Sequence, residues 1–93
     1  MTRGIEDLRA DIDAVDADLV KLLARRFAAV EKIARLKAKN GIPVVIPERI
    51  DAVQDRVARL TEEAGLDPAI ARRLWRAIID EAVAMEAKEI GGG

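Results

Sequence analysis

The chain has 93 residues, 35% of them charged, with 16 basic against 17 acidic side chains and a formal net charge of -1. That length holds one domain with a modest core, so a single domain over residues 1–93 is expected. The even mixture of signs speaks against nucleic-acid binding, which needs a clustered basic surplus, and no apolar run reaches the roughly 18 residues of a membrane span.

Ile5, Leu8, Ile12, Val15, Leu19 and Leu22 recur at spacings of three and four, one face of a helix. The same count continues through Arg26, Ala29, Ile33 and Leu36. Neither Pro nor Gly interrupts this stretch, so one helix over about 5–39 is predicted. Asn40 and Gly41 suit a left-handed cap, and Pro43 cannot continue the helix. Pro47 fits the first turn of a second helix, about 47–64, with Ile50, Val53, Val57 and Leu60 inward. Its cap position is Ile46, where Ser, Thr, Asp or Asn would be usual. Gly65 ends that helix, and Asp67-Pro68 opens a third over about 67–90.

The first helix would be roughly 50 Å long, whereas a compact chain of this size has a radius of gyration of about 12 Å. Its surplus apolar seam needs a partner, most economically a second copy in a two-fold dimer. The expected fold is therefore all-α, with three helices per chain and an intertwined homodimer.

The side-chain inventory narrows the chemistry. The chain has no Ser, Cys, His or Tyr, and its only hydroxyls are Thr2 and Thr61. No nucleophile–base triad can be assembled, and histidine acid–base chemistry is excluded. Without cysteine there is neither a disulfide nor a thiolate metal site, in keeping with a cytoplasmic location. What remains is Arg, Lys, Asp and Glu, which hold and polarise a substrate.

Several of those charges fall on apolar faces. Arg26 interrupts the seam of the first helix, and Lys37, eleven residues on, lies within about 20° of the same face. Arg9 is turned about 100° away and would reach a pocket only in a partner subunit. Arg49 shares a face with Val53 and Leu60, and Glu86 follows Trp75, Ile79 and Ala82 at helical spacing. Inward charges are costly unless paired. Their partners are either internal acids such as Asp13, Asp16 or Glu31, or a small anionic ligand; arginine pairs and a lysine suit a dicarboxylate.

With these residues in place the chain resembles the all-helical chorismate mutase family over roughly residues 5–90. "LRADIDAVDADLVKLLARR" is similar to the family's opening helix, "RRFAAVEKIARLK" carries Arg26 and Lys37, "IPERI" carries Arg49, and "RLWRAIIDEAVAME" carries Glu86. The resemblance implies a Claisen rearrangement of chorismate to prephenate without cofactor or metal. It implies that Arg26, Lys37, Arg49 and the partner's Arg9 hold a dianion, with Lys37 and Glu86 at the breaking ether bond. Glu86 stands where bacterial members commonly carry glutamine, and it would donate to the ether oxygen only when protonated.

Three positions depart from the family pattern. Ile46 and Ile50 replace acids, the second of which normally recognises the C4 hydroxyl, and Ala82 replaces a serine. Apolar residues at the Ile50 position also occur in isochorismate-pyruvate lyases and 4-amino-4-deoxychorismate mutases. The expectation is therefore an ordinary chorismate mutase, with those two activities as alternatives. A helical dimerisation module with merely paired charges is the non-enzymatic alternative.

Overall fold

A computed structural model describes residues 4–91, with side chains through Glu89. It contains three helices and no strand among the described residues: α1 (Ile5–Asn40), α2 (Pro47–Glu63) and α3 (Pro68–Gly91). Each boundary lies within a residue or so of the prediction. The chain is elongated, 60 × 25 × 14 Å with a radius of gyration of 16.9 Å, because the 36-residue α1 outruns everything packed on it.

The helix ends follow from local chemistry. Gly41 closes α1 at φ 65°, and the N–H groups of Gly41 and Ile42 both donate to the Lys37 carbonyl. Asn40 stays helical, so the left-handed position belongs to glycine alone. No atom lies within 4 Å of a Cβ added at Gly41, so substitution there costs backbone strain only. Gly41→Ala is expected to destabilise the chain by about 1 kcal/mol in urea unfolding. At α2 the cap residue Ile46 makes no side-chain cap bond, and Pro47 sets the first turn instead. Asp67 caps α3 conventionally, its Oδ1 accepting from the Ala69 N–H at 2.9 Å.

Packing runs through α3. Both α1 and α2 pack against it, and α1 does not pack against α2. The core is small: Val30 and Ala34 of α1, Val57 and Ala58 of α2, and Ala71, Ile79 and Ala82 of α3. Alanine at these crossings brings backbones close but buries little apolar area. One sequence expectation needs correcting on this basis. Leu60 is exposed rather than inward, since α2 presents only Val57 and Ala58 fully to α3. The α1 seam from Ile5 to Leu22 is uncovered within one chain, as the surplus length of the helix implied, with Ile5 63% and Ile12 59% exposed. Among the described residues no helix is long and apolar enough to cross a membrane.

Candidate active site

Where α1 and α2 diverge above α3, a cleft of about 310 Å³ opens. The α1 wall supplies Arg26, Ala29, Val30, Ile33 and Lys37, whose spacing places them on one side of the helix. Residues Val44 and Ile46 come from the connection, Arg49, Ile50 and Val53 from the start of α2, and Ile79, Ala82, Val83 and Glu86 from α3. Its volume falls at the lower end of the range for small-molecule sites.

Seven of the eight site residues expected from sequence thus meet in one place: Arg26, Lys37, Ile46, Arg49, Ile50, Ala82 and Glu86. Arg9 does not. It is exposed near the other end of α1, about 25 Å from Arg26 along the axis, and its Nη1 lies 2.9 Å from Glu6 Oε1. Sequence reasoning placed Ala29, Val30, Ile33, Val53 and Ile79 on helix faces without assigning them to the site, and it missed Val44 and Val83 altogether. Val83 adjoins Ala82 on a helix whose register was known, so it was recoverable; Val44 contributes a backbone carbonyl, which no side-chain pattern signals.

The polar groups divide into a buried pair and two cations nearer the surface. Lys37 Nζ donates to the Val44 carbonyl at 2.8 Å and lies 2.8 Å from Glu86 Oε1. Both side chains are largely enclosed, 14% and 9% exposed. The Glu86 oxygen is off the hydrogen-bonding direction, so it is held by charge and accepts no aligned hydrogen bond. Arg26 is half-buried and Arg49 exposed, and neither forms an ion pair among the described residues. The internal acids considered as partners, Asp13, Asp16 and Glu31, are exposed and do not pair with them.

Three cations therefore face one carboxylate in a cleft otherwise lined by aliphatic side chains. Such a site attracts an anion and strips it of water, which strengthens each charge contact. Among the described residues it offers no hydroxyl, thiol or imidazole side chain. Its chemical capacity is to bind a small polyanion in one conformation and stabilise charge that develops beside Lys37.

Comparison with known proteins finds relatives along most of the chain. The family model "Chorismate mutase type II" matches residues 8–87. A 4-amino-4-deoxychorismate mutase of Streptomyces venezuelae is 37% identical over 82 residues, covering 88% of this chain and 80% of the relative. An isochorismate pyruvate lyase of Pseudomonas aeruginosa is 36% identical, covering 91% of this chain and 83% of the relative. A chorismate mutase of Methanocaldococcus jannaschii is 29% identical, covering 92% of this chain and 87% of the relative.

Proposed function

The chain belongs to the type II chorismate mutase family, an isomerase family, and from that premise we propose that it converts chorismate to prephenate. The supporting observation is the convergence of Arg26, Lys37, Arg49 and Glu86 on one aliphatic cleft. The rearrangement is unimolecular, so it needs no nucleophile, general base or cofactor. It needs a flexible dianion held in a chair-like geometry, which positioned cations provide. It also needs positive charge where the ether oxygen gains negative charge as the C–O bond breaks.

In this reading Arg26 and Arg49 bind the substrate carboxylates as bidentate partners. Lys37 contacts a carboxylate and the ether oxygen. Glu86, when protonated, donates to that same oxygen, because an ionised carboxylate only accepts. The fourth cation is the partner's Arg9. A two-fold dimer would cover the exposed Ile5–Leu22 seam and deliver each Arg9 to the opposite cleft. Association would come from apolar burial along that seam.

A second reading has its own support. Ile46, Ile50 and Ala82 leave the ring-facing wall without a neutral polar side chain, and the relative from Streptomyces venezuelae is named for the amino substrate. Chorismate, 4-amino-4-deoxychorismate and isochorismate, offered separately with products followed by absorbance and mass, decide between them. The proposal expects the highest kcat/KM with chorismate and prephenate as product. A preference for the amino substrate, or pyruvate released from isochorismate, would replace it.

A further inference from the structure

The connection between α1 and α2 folds back on a single residue. The N–H groups of Gly41 and Ile42 donate to the Lys37 carbonyl, and the Lys37 ammonium donates to the Val44 carbonyl. Since α1 and α2 do not pack on each other, this short segment and its bonds to Lys37 are what join the two walls of the cleft directly. An ammonium has three donors. One goes to Val44, one side faces Glu86, and the third is left for the cleft that Lys37 lines. A four-carbon stem is otherwise free to rotate, and a lysine held at a single point would sample several directions.

We propose that the Val44 backbone carbonyl is a positioning group of the active site, fixing the Lys37 ammonium together with Glu86 so that its remaining N–H is directed at the ligand. The catalytic part of this inference rests on the proposed mutase reading; the positional part does not. Pro43 precedes the residue whose carbonyl is used. It is exposed, makes no part of the cleft wall, and its ring fixes φ immediately before Val44. The ligand would then complete the coordination of Lys37 rather than compete for it, and the α1–α2 connection would be part of the machinery rather than a tether.

Side-chain ¹⁵N relaxation of the lysine ammonium groups tests the positional part in the ligand-free full-length protein. Lys21, Lys32, Lys39 and Lys88 are exposed and serve as internal controls. Lys37 Nζ is expected to be markedly more ordered than those four, and a Lys37 as mobile as them would overturn the proposal without reference to any substrate. Pro43→Gly should then loosen Lys37 and lower kcat about tenfold with little change in KM, the scale expected for a misaligned catalytic group. Pro43→Ala, which restricts the chain more than glycine, should fall between. A Pro43→Gly protein that is folded by circular dichroism and retains parental kcat on its best substrate would also overturn it. If Pro43→Gly fails to fold, the parent's ammonium order and the Pro43→Ala kinetics decide.

Discussion

Lys37→Ala should lower kcat/KM by about three orders of magnitude, roughly 4 kcal/mol of transition-state stabilisation, as removal of a preorganised electrostatic group does. Among the described residues, the alanine removes the only cation in the cleft that is both enclosed and held at two points. Truncation also strands Glu86, which is 7% exposed and has no other ion-pair partner among the described residues. An unpaired buried carboxylate costs about 3 kcal/mol or more, so the single variant should also unfold at lower urea. Lys37→Ala/Glu86→Gln separates the two effects. The amide needs no counter-charge, so stability should return towards the parent value while turnover stays low. Recovery of both would mean that Lys37 served folding rather than chemistry. Retention of activity in the single variant would remove Lys37 from the mechanism.

How much of this was legible beforehand can be argued residue by residue. The helices were, because apolar spacing of three and four runs unbroken from Ile5 and because Gly41, Gly65 and the three prolines punctuate it. The cleft's charges were legible for the same reason: an arginine and a lysine eleven residues apart share a helix face whatever the tertiary structure. What the spacing could not state is which neighbour each charge meets. Lys37 and Glu86 belong to helices that are not neighbours in sequence, so their 2.8 Å approach depends on how α1 and α3 cross. Leu60 shows the complementary failure. Its periodicity marks it as inward, yet within one chain it is left 44% exposed. A helical period identifies a face, and only the packing partner decides whether that face is buried.

The same ambiguity governs the α1 seam, and there an experiment with a large expected effect is available. In the proposed dimer Arg9→Ala and Lys37→Ala should each be nearly inactive as homodimers, since each cleft takes Arg9 from one chain and Lys37 from the other. A mixed dimer of the two variants is different. One of its clefts carries both substitutions and the other carries neither. Random exchange makes half of all dimers mixed, each with one intact cleft, so about a quarter of parental kcat should return. Denaturing the variants together in urea and refolding them by dilution, followed by a mutase assay, measures this directly. Arg26→Ala mixed with Lys37→Ala is the control: both residues line one cleft of a single chain, so no mixed dimer regains a complete site. Recovery in the first mixture and not the second would establish that the clefts are shared between chains. Absence of recovery in both, with dimers present by light scattering, would confine each cleft to one chain. In that case the Arg9 pairing with Glu6 on α1 would be its whole role, and the apolar seam would serve assembly without serving the site.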